Sequence, residues 1–308
     1  MPSRPESPPV RMHADELDID EALVERLVSG RFPHWAGLAV RRVASAGTDN
    51  AMFRLGPDLV VRLPRLPGRA RQVGAEHRWL PRLAPHLPLT VPAPLALGGP
   101  GAGYGLPWGV YAWLEGADAF EAPPADLAAA ARELGRFVAA LRSVDAAGGP
   151  PSYRGGPVSE GDADVRAAIR DLGAAGALDA RAATGVWEDV LRVPGWDGAP
   201  VWLHGDLLPG NLLTSSGRLT AVIDFGCFGT GDPAADLMPA WTVLDAGTRQ
   251  VFRAAAGADD ATWERGRGWA LRFGLTAEHY YGDVCGNGTN PVLAAVARRT
   301  VAEVLSDR

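Results

Sequence analysis

Three oxygen-bearing side chains stand close together in one short stretch of this chain: Asp206, which follows His204 and Gly205; Asn211, five positions on; and Asp224, followed by Phe225 and Gly226. A carboxylate can take a proton from a hydroxyl. A second carboxylate and an amide oxygen suit a hard divalent cation that keeps several waters and binds phosphate oxygens, as magnesium does. Leu212 to Thr214 and Leu219 to Ile223 read as two short strands joined by a hairpin over Ser215-Ser216-Gly217-Arg218. Asn211 enters that hairpin and Asp224 leaves it, so antiparallel pairing brings both to its open end, where one ion could bridge them. Either residue alone would be ordinary turn chemistry. The ordered set, flanked by apolar strands, points to phosphoryl transfer.

The spacing of Asp206 and Asn211 matches the catalytic loop H-R-D-x-x-x-x-N, in which the Asp accepts the substrate hydroxyl proton and the Asn holds a metal ion. Asp224 then becomes the main metal ligand. Four segments carry a family likeness: Trp202-Leu203-His204-Gly205-Asp206, Asn211, Val222-Ile223-Asp224-Phe225-Gly226, and Gly231-Asp232-Pro233-Ala234-Ala235-Asp236-Leu237. On these, over about residues 38 to 300, the chain resembles the aminoglycoside phosphotransferase family, antibiotic kinases that share the protein-kinase fold. The resemblance implies an α+β, protein-kinase-like two-lobed fold with an antiparallel sheet N-lobe and a mainly helical C-lobe. It also implies Mg2+, ATP (with GTP as the alternative) and a small-molecule hydroxyl acceptor, an aminoglycoside or related antibiotic first among them.

Other acceptors stay open: a sugar, amino alcohol or choline-like metabolite, or a macrolide, since Val61-Arg62-Leu63-Pro64-Arg65 is similar to the matching segment of macrolide-modifying relatives. A nucleotide-binding pseudokinase regulator is the non-enzymatic alternative. The chain has no Lys, which supports that alternative, whereas the intact set of Asp206, Asn211 and Asp224 opposes it. Gly205 stands where protein kinases carry an Arg, and no A-P-E follows Asp224, so control by activation-loop phosphorylation has no apparatus here. His204 reads as a support for the loop, because Asp206 already fills the role of base.

The elements that must position these groups follow from pattern. Val40 to Ala44, Met52 to Leu55 and Leu59 to Leu63 form a predicted three-strand meander. Its first loop, Ser45 to Asn50, would bind phosphate through backbone N–H groups and the Ser45 and Thr48 hydroxyls. Arg62 occupies the strand position at which kinases carry the phosphate-contacting Lys, with Arg65 in reserve. Glu76, on a helix predicted over Arg71 to Leu83 and interrupted at Pro81, is its expected ion-pair partner. Pro92, Pro94 and a Gly-rich turn from Gly98 to Gly105 lead into a strand and hinge, Trp108 to Gly116. The resemblance assigns the adenine edge there to the Ala112 carbonyl and the Leu114 N–H.

Beyond the hinge, Leu127, Ala131, Leu134, Val138 and Leu141 form the apolar stripe of a helix started by Asp126. Helices are also expected over 162–172, 179–192, 234–241, 247–256, 262–281 and 291–305. Asp232 and Asp236 take structural roles, capping a helix start and supporting the catalytic loop. Asp245, Glu264, Glu278 and Asp283 are candidates to receive ammonium groups of an acceptor. The domain reading is a disordered N-terminus over 1–14, a nucleotide-binding N-lobe over 15–114, and a C-lobe over 115–308.

Composition bounds these readings. At 308 residues and 47% apolar, the chain can bury a substantial core. Residues 1–114 carry 13 Arg against 10 acids and the remainder 17 Arg against 26, so a basic half suits a polyphosphate and an acidic half a cationic acceptor. The formal net charge of −6 argues against nucleic acid as a partner. With no apolar span and two cysteines, Cys227 and Cys285, without metal-ligand spacing, neither a membrane, a disulfide framework nor zinc is expected, and the chain reads as cytoplasmic.

Overall fold

Alternation of buried and half-buried residues along Asn50–Leu55 and near-continuous burial along Leu59–Pro64 mark two neighbouring strands of one sheet, the second of them at its centre. The computed structural model describes residues 17–43 and 49–307, and the expectations for residues 1–14 and for Ser45 and Thr48 lie outside them. In chain order the first lobe comprises helix α1 (Glu21–Arg31), strands β1 (Val40–Arg42), β2 (Asn50–Leu55) and β3 (Leu59–Pro64), helix α2 (Ala70–Leu83), and strands β4 (Pro94–Gly98) and β5 (Trp108–Ala112). All neighbours are antiparallel, in the order β1-β2-β3-β5-β4. Met52 lies opposite Arg62, and Arg62 opposite Gly109, so Arg62 occupies the centre of the sheet. Ile19, Val24, Leu27 and Val28 pack against Phe53, Leu55, Val61, Leu63, Trp108 and Val110 as the core of this lobe.

Two features depart from expectation. The stretch from Pro94 to Gly98, for which no element was expected before the turn at Gly98, forms edge strand β4. Pro94, which lacks a ladder donor, starts it beside a register shift, as an edge tolerates. Helix α2 runs through Pro81 without stopping there. Pro81 falls in its last turn, and the fully buried Leu80 and Leu83 hold that turn in the core of the second lobe. Trp79 meets Trp202 there, with ring centroids 4.9 Å apart. Leu89 and Val91 join the same core, and Thr90 bonds to the strand at Thr220 and Val222. Helix α2 thus bridges the lobes, with Glu76 toward the sheet and Trp79 toward the core of the second lobe.

The second lobe contains β6 (Ala117–Asp118), α3 (Leu127–Ser143), α4 (Asp162–Ala174), α5 (Ala180–Arg192), β7 (Val201–Leu203), β8 (Leu212–Ser215), β9 (Arg218–Val222), β10 (Gly229–Gly231), α6 (Pro239–Thr242), α7 (Arg249–Ala256), α8 (Asp260–Tyr281) and α9 (Pro291–Ser306). Asp126 caps α3 by accepting from Ala129 N at 2.9 Å, and Ala131, Leu134, Val138 and Leu141 are buried along one face. In place of one helix over 234–241, a 3-10 turn (Pro233–Leu237) precedes the short α6, with Pro at the start of each. Among the described residues no helix is long and apolar enough to cross a membrane.

Candidate active site

The β8–β9 hairpin turns on Ser216 and Gly217, both at positive φ (51° and 75°), the tight two-residue turn whose twist matches paired strands. Leu212 faces Val222, and Ile223 N donates to Asn211 O at 2.8 Å, so the pairing continues to the open end of the ribbon. Asn211 and Asp224 therefore stand side by side. Asp224 itself has φ 60°, a left-handed conformation for a residue with a Cβ, and its Oδ1 accepts from Gly226 N at 3.2 Å. That bond offsets part of the local strain and turns the carboxylate toward the space between the lobes.

The loop bearing Asp206 is held from below. Buried Asp236 accepts from His204 N and Gly205 N, each at 2.7 Å. His204, fully buried, accepts from Asp206 N through Nδ1 (3.2 Å), so its Nε2 carries the proton and donates to Ile223 O (3.0 Å). Burial keeps the imidazole below its ordinary pKa and so neutral. One side chain thus ties the Asp206 loop to the mouth of the hairpin. Burial likewise pushes Asp236 up to about 7, against the two backbone N–H groups that favour its charge. Gly205 is required at its position. It has φ +79°, and a Cβ there would lie 2.9 Å from Cys227 O and 3.1 Å from Ser152 Oγ.

Arg62 links the lobes. Its Nη1 donates to both carboxylate oxygens of Glu76 at 2.9 Å, and its Nη2 to Asp224 Oδ1 at 2.7 Å. Tyr111 Oη donates to Glu76 Oε2 at 2.6 Å. Burial works against the guanidinium charge, yet Glu76 and Asp224 more than offset it and raise the pKa above its ordinary value. The planar fork gives each carboxylate its own nitrogen, Nη1 for Glu76 and Nη2 for Asp224. Arg65 lies past the end of the strand and outside the cleft.

Asp206, Asn211 and Asp224 are half-buried and line one cleft of about 390 Å³ together with Arg62, Ala112 and Leu114. Glu76 stands behind Arg62 and does not line it. Asn211 Nδ2 donates to Asp206 O (2.8 Å) and Oδ2 (3.0 Å), which leaves its Oδ1 as the atom to ligate a cation beside Asp224. Among the described residues no group of three or more His, Cys, Asp or Glu could hold a metal. One carboxylate and one amide oxygen fit magnesium, which fills its remaining positions with water and phosphate oxygens.

The four acids expected to receive ammonium groups are otherwise engaged, and none lines this cleft. Glu278 is buried against Arg298, which also reaches Asp283, while Glu264 faces Arg267 and Asp245 caps Thr248. Two arginines, Arg298 and Arg267, thus pair with three of them. Two further residues at the site were not anticipated. Tyr111 carries a polar tip to Glu76. Arg154 Nη1 donates to Gly205 O (2.6 Å) and to Asp206 Oδ1. The Gly- and Pro-rich stretch around Arg154 has no periodicity that would have marked it.

The model of the "Phosphotransferase enzyme family" matches residues 40–269, and the chain belongs to that family. Its class is that of small-molecule O-phosphotransferases, built on a protein-kinase-like fold. Among solved structures, the GDP complex of wild-type aminoglycoside 2'-phosphotransferase-IIIa is similar at a TM-score of 0.70 and 18% identity, over 94% of this chain and 99% of that one. The GDP and kanamycin complex of APH(2")-IIIa gives 0.68 and 18%, over 92% and 99%. Macrolide 2'-phosphotransferase MphH from Brachybacterium faecium, as apoenzyme, gives 0.57 and 28%, over 89% and 98%. No curated protein matches.

Proposed function

We propose that this protein catalyses magnesium-dependent transfer of the γ-phosphoryl group of ATP, with GTP as the alternative, to a hydroxyl of a small molecule in the cytoplasm. The observation that carries the reading is the convergence of Asp206, Asn211 and Asp224 on one cleft that also reaches the hinge at Ala112 and Leu114. Asp206 orients the acceptor hydroxyl and takes its proton as the oxygen–phosphorus bond forms and the bond to the nucleoside diphosphate breaks. Asn211 and Asp224 hold magnesium, which neutralises phosphate charge when bound. Arg62, anchored on Glu76, holds phosphate oxygens, a role expected from the sequence for Ser45 and Thr48 as well. The Ala112 carbonyl and Leu114 N–H take the edge of the base. Positioning and electrostatics supply most of the acceleration.

The acceptor belongs with the alcohols of antibiotics and related metabolites. Within that range an aminoglycoside or related antibiotic comes first, with Asp118 and Glu121 lining the same cleft, and a macrolide, sugar, amino alcohol or choline-like metabolite is the alternative. An ADP-release assay across aminoglycosides, macrolides, sugars and amino alcohols tests the proposal. Turnover with one class, and weakened magnesium-nucleotide binding in Asp224→Ala, is expected. Tight nucleotide binding with no turnover on any acceptor would instead support a pseudokinase regulator.

A further inference from the structure

The segment from Pro150 to Gly155 has no strand or helix of its own, yet it is bonded to both loops of the site. Ser152 N donates to Thr230 O (3.0 Å), and Thr230 N donates to Pro150 O (2.8 Å). Ser152 Oγ donates to Cys227 O (2.7 Å), three residues past Asp224. Arg154 N in turn donates to Ser152 Oγ at 3.1 Å. From that anchor the Arg154 Nη1 spends both of its hydrogens on the catalytic loop, one on Gly205 O (2.6 Å) and one on Asp206 Oδ1. Asn211 Nδ2 holds the other carboxylate oxygen, Oδ2, at 3.0 Å. The plane of the Asp206 carboxylate is therefore fixed by one donor on each oxygen. The Ser152 hydroxyl, together with Cys227 O, also fills the space a side chain at position 205 would need.

We propose that Arg154 is a positioning residue for phosphoryl transfer that acts through Asp206, fixing the rotamer of the base and the backbone of Gly205 so that the carboxylate faces the incoming hydroxyl. The inference rests on the reading of Asp206 as the base. Arg154 keeps its own protons throughout: the hydroxyl proton passes to Asp206, the new oxygen–phosphorus bond forms, and the nucleoside diphosphate leaves. An arginine that contacted the phosphates directly would act independently of Asp206, and the two cases separate in a double-mutant cycle.

The parent, Arg154→Gln, Arg154→Lys, Asp206→Asn and the Arg154→Gln/Asp206→Asn pair are compared by ADP release, with kanamycin, a macrolide, choline and water alone as acceptors. Magnesium-ADP affinity and melting temperature are measured alongside. Misplacement of the base by Arg154→Gln is expected to lower kcat about a hundredfold, with acceptor KM and nucleotide affinity within about twofold of the parent. Arg154→Lys, which keeps a charged donor, should recover about tenfold of that loss. In the Asp206→Asn background the same substitution should cost less than about threefold more. Losses that multiply across the pair, a kcat for Arg154→Gln close to the parent's, or an effect on nucleotide affinity alone would each overturn the proposal. Parental kcat in Asp206→Asn, or no turnover by the parent on any acceptor or water, would remove the base reading itself and the Arg154 role with it.

Discussion

Replacing Arg62 by Met removes the guanidinium that faces the Glu76 carboxylate, which is 1% exposed. Glu76 would keep the Tyr111 hydroxyl at 2.6 Å but lose two charge-assisted bonds of 2.9 Å, and Asp224 would lose the bond that now crosses between the lobes. Breaking a buried pair by deleting one partner costs about 3–5 kcal/mol, because the remaining charge stays buried. At roughly 2 °C per kcal/mol for a chain of this size, the melting temperature should fall by about 6–10 °C. Arg62→Lys keeps the charge but offers one nitrogen in place of two for three charge-assisted bonds, so it should lose about 1–2 kcal/mol. The informative variant is Arg62→Met/Glu76→Gln, in which the amide still accepts from Tyr111 and no charge is stranded. Most of the lost stability should return while magnesium-nucleotide affinity stays weak. Denaturant titration gives the stabilities and equilibrium titration the affinities. An Arg62→Met protein within 1 kcal/mol of the parent, or a double variant no more stable than the single one, would refute the reasoning.

Two further outcomes follow from the loop supports. Asp236 has its pKa raised by burial from 3.8 to about 7, so the folded state binds a proton more tightly than the unfolded one. Its contribution is therefore fully present below about pH 4 and lost as pH rises through about 7, a span on the order of 4 kcal/mol. Stability measured against Asp236→Asn should show that difference shrinking across the window, and a flat difference would remove Asp236 as its source. Gly205→Ala puts a Cβ at 2.9 Å from Cys227 O at positive φ, and a loss of about 2 kcal/mol or more with depressed turnover is expected from chemical denaturation and ADP release. Unchanged values would mean that the clasp of Ser152 is not rigid.

What could be read without coordinates was local. The apolar strands around Asn211 and Asp224, the Ser-Ser-Gly turn and the five-residue spacing from Asp206 all lie within a few residues of one another, where period and turn chemistry decide the structure. The helix stripes were legible for the same reason. Arg62 and Glu76 are 14 apart, on a strand and the helix that follows it, so short connections bring them together. Contacts across the fold were not legible. Arg154 meets Asp206 from 52 positions away, out of an irregular segment, and Arg298 reaches Glu278 across a loop. Nothing in the period of either segment encodes that meeting. Edge strand β4 was hidden by Pro94 at its start, and Pro81 was overruled by the burial of Leu80 and Leu83.

The central claim is that Asp206 serves as the base for an alcohol facing nucleotide-bound magnesium at Asn211 and Asp224. Phosphorus NMR of the reaction products, with an acceptor found by ADP release, tests it most directly. The parent should yield a phosphate monoester of the acceptor and Asp206→Ala at most about a hundredth as much per unit time, with magnesium-nucleotide affinity retained. Ester formation by Asp206→Ala within a few-fold of the parent would contradict the account.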